Sequence, residues 1–374
     1  EVTIRVHART TPLKIFLNPG LYTGEAYMDG SLTVEKGTIR DLINLYALNL
    51  KLTPPRFLDH LYQSLRQAFR TFQQFNPVSL SRQHAAHHYD LSGALYDLFL
   101  DEDRQYSCAY FTSDDESLDQ AQENKKHHLA AKLLVEPGMK VLDIGCGWGG
   151  LGLYLAETCG ADVTGITLSK EQHRVANERA KQAGLEDRVR FHLRDYREEE
   201  GTYDRIVSVG MFEHVGVRYY RCFFDKVRDL LNEDGLALLH SIGRRGPPSA
   251  TNSWIRKYIF PGGYSPALSE VISEVEKTGL WITDIEILRL HYAETLRHWY
   301  NRFQANRKRA AAIYDERFCR MWEFYLAGSE AAFRHQGHMV FQMQLARRQE
   351  AVPLTRDYMT DWEHAHNGFR QTAA

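Results

Sequence analysis

The sequence predicts an α/β protein, a doubly wound and mostly parallel sheet with helical insertions, preceded by a small α+β domain. Three observations predict it. From Lys140 to Gly243, apolar strands alternate with amphipathic helices, and strands separated by helices need right-handed crossovers, which build a parallel sheet. The first of these strands runs into a glycine turn, VLDIGCGWGG, that opens a helix. The first 75 residues have another rhythm, with short strands followed by helical spacing.

Within the N-terminal part, TIRVHA and KIFLNP are strand-like, and GEAYMDGSLTVE reads as a hairpin turning at Asp29-Gly30. From Gly37 the period becomes helical, with Ile39, Leu42, Ile43, Tyr46 and Leu50 on one face. LDHLYQSLRQAFRTFQQF continues the helix to about residue 75, and Asn76-Pro77 breaks it. Residues 1–75 are expected to form an accessory domain and 76–374 the main domain.

The stretch from Ser79 to Leu134 reads as largely helical around an irregular RQYSCAYF. Strands then follow at VLDI, ADVTGITLS, VRFHLRDY, YDRIVSVGMF and LALLHSIG, separated by helices. After Gly246 the alternation stops at an aromatic, basic insertion, SWIRKYIFPGGY. A helix from Ser269 and a strand near 281–290 come next. HYAETLRHWYNRF and its continuation to about residue 346 read as helices, and the tail beyond Pro353 as loosely ordered.

The 374 residues carry 46 basic and 48 acidic side chains, a net charge of −2. A basic excess suited to nucleic acid is missing, so no nucleic-acid partner is expected. No run of 18 apolar residues spans a bilayer. The start, EVTIRVHART, has neither an initiator Met nor a signal-peptide core, which leaves the natural start open. Five cysteines without CxxC spacing fit reduced thiols in a cytoplasm. His84, His87 and His88 have helical spacing and His127 and His128 are adjacent, but no ligand set is completed. These are read as packing or surface histidines, with no metal.

The glycine turn carries the first chemical signal. Glycines let the backbone approach a ligand where side chains would collide, and the following helix offers its N-terminal amides. Read through Gly150, the turn also satisfies a dinucleotide-binding GxGxxG. A dinucleotide site expects an acid about 20 residues on, but the next strand ends in Thr167-Leu168-Ser169. Asp143, before the first glycine, is typical of S-adenosylmethionine (SAM) sites. SAM is therefore the expected co-substrate.

VLDIGCGWGG, TLSKEQ, YDRIVSVGMFEHVG and LLHSIG, with HHYDLSGALYDLFLD and YSCAYF before them, resemble the cyclopropane-fatty-acyl-phospholipid synthases and the related mycolic acid cyclopropane synthases. The resemblance covers about residues 83–350, and GLYTGEAYMDG resembles the accessory domain of the bacterial phospholipid enzymes. It implies a SAM-dependent methyltransferase (Rossmann-like) fold with a seven-stranded sheet. The implied activity is transfer of a methylene unit from SAM to the cis double bond of unsaturated phospholipid acyl chains, giving cyclopropane fatty acids. A fatty acid C-methyltransferase giving branched chains is the alternative, since its first step is the same.

By the same resemblance, Cys108, Glu213, His240 and Tyr292, with the backbone of Ile242, hold a bicarbonate ion that serves as base. Tyr106 and Ser107 take the methionine end of SAM, with Gly145, Cys146 and Gly147 along its methionyl portion. Thr167 and Gln172 reach the ribose, Tyr196 with Asp195 covers the adenine, and Tyr89 sits near the sulfonium. An aromatic face there favours positive charge by about 0.5–2 kcal/mol.

The implied partner is a phospholipid at a membrane surface, so peripheral association with the inner face of the membrane, from the cytoplasm, is expected. Residues 254–263 are read as a lid or acyl-channel segment, and the Arg302, Arg307, Lys308, Arg309 cluster as a solvated helix face. Residues 1–75 would serve lipid recognition, a homodimer, or both.

Overall fold

The computed structural model describes residues 1–50 and 93–366. The helix expected over 51–75, the Asn76-Pro77 break, Tyr89, His84, His87 and His88 lie outside the described residues.

A seven-stranded sheet forms the centre. Its strands are β3 (Lys140–Ile144), β4 (Asp162–Thr167), β5 (Val189–Leu193), β6 (Tyr203–Val209), β7 (Leu231–Arg244), β8 (Trp281–Leu288) and β9 (His338–Ala346). They lie in the order β5-β4-β3-β6-β7-β9-β8. The first five pair in parallel, and β9 runs antiparallel between β7 and β8. Strand order reverses at β3, so a crevice opens above the carboxyl ends of β3, β4 and β6. Apolar clusters cover the sheet, one including Phe212, Phe223 and Val271, the other Leu129, Leu155 and Phe191.

Residues 338–346 are strand, not the end of a helix. Gly337 at φ +79° stops the preceding helix. Gln342 and Gln344 then face one way while Phe341, Met343 and Leu345 face the other, and all five are buried. Burial on both faces erases the alternation that marks a half-exposed strand, and Met, Gln, Leu and Ala are good helix formers. Two sheet neighbours override that preference. Within the tail, 357–365 form a helix whose Met359 is buried, and the chain end beyond 366 lies outside the described residues.

In the N-terminal part, β1 (Thr3–Val6) pairs antiparallel with β2 (Leu32–Lys36). Between them lie two helices, α1 (Thr11–Leu17) and α2 (Pro19–Met28). KIFLNP is therefore helical, and the expected hairpin is a helix, a turn at Asp29-Gly30, and a strand. Pro12 is the second residue of α1 and Pro19 the first of α2, first-turn positions where a fixed φ favours a helix and no amide is lost. The next helix, α3 (Ile39–Leu50), follows.

The N-terminal part shares an apolar core with residues more than 200 positions further along the chain. Met28 and Ile39 belong to one cluster with Trp254, Trp299 and Trp322. Trp254 Nε1 donates to Met28 Sδ at 3.2 Å, and Glu25 accepts from Lys257 at 2.6 Å and from the Tyr258 hydroxyl at 2.9 Å. Arg40 grips the buried Glu330 with two bonds of 2.7 Å. Trp254 is thus an internal side chain. Arg302 and Arg307 are likewise committed, to Asp119 and to Glu316 and Glu323, whereas Lys308 and Arg309 are exposed.

His127 and His128 are buried. His128 bridges Glu286 at 2.8 Å and Glu363 at 2.7 Å, which anchors the C-terminal helix. His127 contacts the Tyr154 hydroxyl at 3.1 Å. Among the described residues, no group of three or more His, Cys, Asp or Glu is placed to hold a metal ion.

Candidate functional site

The glycine turn follows β3. Gly145 and Cys146 donate their amides to Ile166 O at 2.9 and 3.0 Å, so the turn is tied to the end of β4. Gly145 has φ +83°, and a Cβ there would lie 2.7 Å from Met211 Cβ. Both facts demand glycine. The helix that receives the chain is α6 (Gly150–Cys159), counting α4 (Gly93–Tyr96) and α5 (Leu118–Leu133) before it.

A cleft opens over these strand ends. It holds about 1280 Å³ of empty space, counting its open mouth. Tyr106, Ser107, Gly145, Cys146, Gly147, Thr167, Gln172, Asp195 and Tyr196 all line it. The structure therefore gathers every expected cofactor residue that lies within the described residues. The Thr167 hydroxyl donates to Gln172 Oε1 at 2.8 Å, which fixes both at the end of β4. Asp195 is only 1% exposed, and both of its carboxylate oxygens are held by Arg197 at 2.7 Å. The Arg197 guanidinium lies 5.4 Å from the Tyr196 ring centre.

Sequence reasoning missed several of the lining residues. Gln105, Trp148, Arg197 and His214 each sit beside a residue that a motif did mark. Adjacency was the available signal. Lys125 gave none. It lies on α5 and is wholly buried, with Nζ 2.5 Å from Gln105 Oε1 and 2.8 Å from Ser107 Oγ. Burial lowers this ammonium to about 8, opposed by Asp101. The Asp143 carboxyl, 2% exposed, has one oxygen without a partner, and burial raises it to about 7 against the pull of Lys125.

The other expected set lies behind the cleft wall. None of Cys108, Glu213, His240, Ile242 and Tyr292 lines the cleft itself, but their chain neighbours Ser107, Met211 and His214 do. Glu213 sits in a short turn after β6, where its Oε1 accepts from the Ile242 amide at 2.6 Å. That amide is thereby engaged by a side chain. Glu213 Oε2 is buried without a partner. Burial raises the carboxyl to about 7, against the Ile242 amide, which favours its charged form.

His240, on β7, is 2% exposed and held neutral, first by burial and then by Lys125. Cys108 is fully buried, and burial pushes its thiol well up. Tyr292 lies on α7 (His291–Ala305), its ring 5.8 Å from Trp299 and edge-on. The Ala109 amide donates to Thr295 Oγ1 of that helix at 3.0 Å, which joins the Cys108 segment to it. The structure thus puts Glu213 and Ile242 in contact and ties the Cys108 segment to the Tyr292 helix. The Lys125 charge acts on both Cys108 and His240.

Such a neutral, buried polar set beside a cofactor-sized cleft suits a reaction that develops positive charge away from water. Comparison with known proteins agrees. Residues 79–343 match the family of mycolic acid cyclopropane synthetases. The chain is 44% identical over 286 residues to a probable fatty acid methyltransferase of Pseudomonas putida, covering 73% of this chain and 72% of that one. It is 37% identical over 337 residues to the cyclopropane-fatty-acyl-phospholipid synthase of Escherichia coli K12, covering 89% and 85%. A solved mycolic acid cyclopropane synthase, CmaA1 complexed with SAH and CTAB, superposes with a TM-score of 0.67 at 34% identity, covering 72% and 99%. A SAM-binding sheet with its glycine turn, and a match spanning most of the chain, make this protein a member of the mycolic acid cyclopropane synthetase family, a SAM-dependent enzyme of the methyltransferase class.

Proposed function

We propose that the protein transfers a methylene unit from SAM to the cis double bond of unsaturated acyl chains in membrane phospholipids. Residues 76–374 form the catalytic domain and residues 1–75 an accessory domain for lipid recognition, dimerisation or both. The observation that carries the reading is Glu213, a buried carboxyl with one unpartnered oxygen, raised to about 7 beside a SAM-type cleft. A simple amine methyltransferase has no need of such a group.

In the reaction, the alkene electron pair attacks the sulfonium methyl and the S–C bond breaks. A proton then leaves the new methyl group, and its C–H electrons close the ring. SAM supplies the methyl. Cys108, Glu213, His240 and Tyr292 suit a small anion by their chemistry: thiol, imidazole and phenol can each donate, although the Cys108 thiol now donates to Ala109 O at 3.3 Å, and Glu213 is poised to share a proton. They would hold bicarbonate, which supplies the base. The Ile242 backbone would act through Glu213, whose carboxylate its amide already grips. Tyr106, Ser107, Thr167, Gln172, Asp195 and Tyr196 would orient SAM, with Tyr89 near the sulfonium.

The test is product analysis with SAM and vesicles of cis-monounsaturated phospholipid. Gain of one methylene with upfield ring protons is expected. Methyl-branched products would instead favour the second reading, a fatty acid C-methyltransferase, which the Pseudomonas relative's name supports.

Peripheral contact with the membrane, at its inner face from the cytoplasm, is part of the proposal. No helix among the described residues is long and apolar enough to cross a membrane. α1 turns an apolar stripe outward: Leu13 is 62% exposed, Phe16 73% and Leu17 67%. These positions share one helix face, and Arg9 and Lys14 beside them are exposed. Apolar side chains flanked by cations suit an anionic bilayer surface. Phe16→Ser with Leu17→Ser should cut sedimentation with phosphatidylglycerol vesicles by about tenfold or more. Turnover of a detergent-dispersed substrate should stay unchanged. Undiminished sedimentation would remove α1 from the membrane contact.

A further inference from the structure

We propose that Gln342 is a positioning residue whose amide fixes the tautomer of His240, so that the imidazole presents an Nε2–H donor to the anion-holding set. The proposal rests on the reading of Cys108, Glu213, His240 and Tyr292 as that set. Gln342 is wholly buried in β9. Strand register puts it opposite His240 of β7 on one side and Glu286 of β8 on the other. Cross-strand partners share a sheet face, so His240, Gln342 and Glu286 form a polar row across the antiparallel end of the sheet.

Gln342 Nε2 lies 3.2 Å from His240 Nδ1. An amide nitrogen only donates, so Nδ1 accepts and the single hydrogen of the neutral ring sits on Nε2. The choice has a chemical consequence. With hydrogen on Nε2, His240 donates to an anion; with hydrogen on Nδ1, the same nitrogen would be a lone pair facing it. At the far end of the row, Glu286 is bound by His128 at 2.8 Å and by Lys132. Gln342 therefore also stands as a neutral spacer between His240 and a charged cluster.

A packing role does not explain the side chain. Gln342 Oε1 is buried without a partner, and an apolar residue of similar shape would avoid that unsatisfied acceptor. Gln344, two residues on, shows the ordinary structural arrangement. Its Nε2 donates to the Tyr358 hydroxyl at 2.8 Å and its Oε1 accepts from Thr283 at 2.6 Å.

The experiment is nitrogen NMR of the full chain with ¹⁵N-labelled histidine, using His240→Ala to identify the signals. Wild type should show His240 protonated at Nε2 alone. Gln342→Glu, whose carboxylate can only accept, should put a hydrogen on Nδ1, and Gln342→Met should release the preference. Both variants should lose turnover by about 10- to 100-fold while SAM binding by calorimetry is kept. A wild-type spectrum with hydrogen on Nδ1 overturns the proposal, whatever the variants do. So does full turnover in Gln342→Met when His240→Ala is inactive. Full turnover in His240→Ala would instead defeat the anion-set reading, and the wild-type spectrum would still decide the tautomer.

Discussion

A Glu213→Gln variant is expected to lose turnover by roughly 10²–10³-fold while binding SAM as wild type does. Gln keeps the acceptor for the Ile242 amide, now at 2.6 Å, but cannot share a proton with an anion. The cofactor cleft should be untouched, because Glu213 does not line it. Calorimetry with SAM and product formation from vesicles measure the two halves separately. Full turnover would sink the anion site, and loss of SAM binding would show that Glu213 holds the cleft together.

The same variant carries a stability signature. The folded protein keeps the Glu213 carboxyl protonated up to about 7, whereas the unfolded chain releases that proton near the ordinary glutamate value. Stability from this group is complete below that ordinary value and is lost as pH rises to about 7. Gln pays no such penalty. The variant should therefore be more heat-stable than wild type at pH 8, by up to about 3 kcal/mol, with the gap closing toward pH 4. Thermal melts across that range check it. A variant that is inactive yet more stable would be a group kept for function.

A Gly145→Ala variant is expected to weaken SAM binding by about 100-fold, since displacing the backbone at a tight site costs of that order. Two effects add. φ is +83°, and the new Cβ would meet Met211 Cβ at 2.7 Å, so the turn must move away from β6. Left-handed backbone alone costs a non-glycine residue about 1–2 kcal/mol. Gly184→Ala is the control. It has φ +67° and nothing within 4 Å of the added carbon, so it should lower the melting temperature without changing SAM affinity. The rise in melting temperature with added SAM reports both. Equal affinity in wild type and Gly145→Ala would mean that this turn does not approach the cofactor.

Much of the site was legible because the residues that approach a cofactor stand next to backbone signals. Glycines at 145, 147 and 149 mark the turn, and strand ends mark Thr167 and the Glu213 segment, whereas His240 lies within β7 and only the family resemblance singled it out. A parallel sheet binds at its strand ends, so motifs in order along the chain converge in space. Lys125 and Gln342 were not legible. Each reaches its partner across elements, from α5 to Ser107 and from β9 to His240, and neither stands beside a motif. Gln342 was hidden twice, since its strand reads as helix from residue preferences alone.

What the sequence determined by itself is the fold class and the identity of the SAM turn. Those follow from local rules: a strand needs apolar residues, a close-approach turn needs glycine, and one fold fixes where strand ends meet. Only the tertiary structure decided that 338–346 enter the sheet and that 11–17 and 19–28 are helices. It alone showed the Ile242 amide engaged by Glu213. These depend on which neighbour supplies a hydrogen-bond partner or covers an apolar face, and the partners lie tens to hundreds of residues away in the chain. Local preference is worth a few tenths of a kcal/mol per residue, and two flanking strands outweigh it.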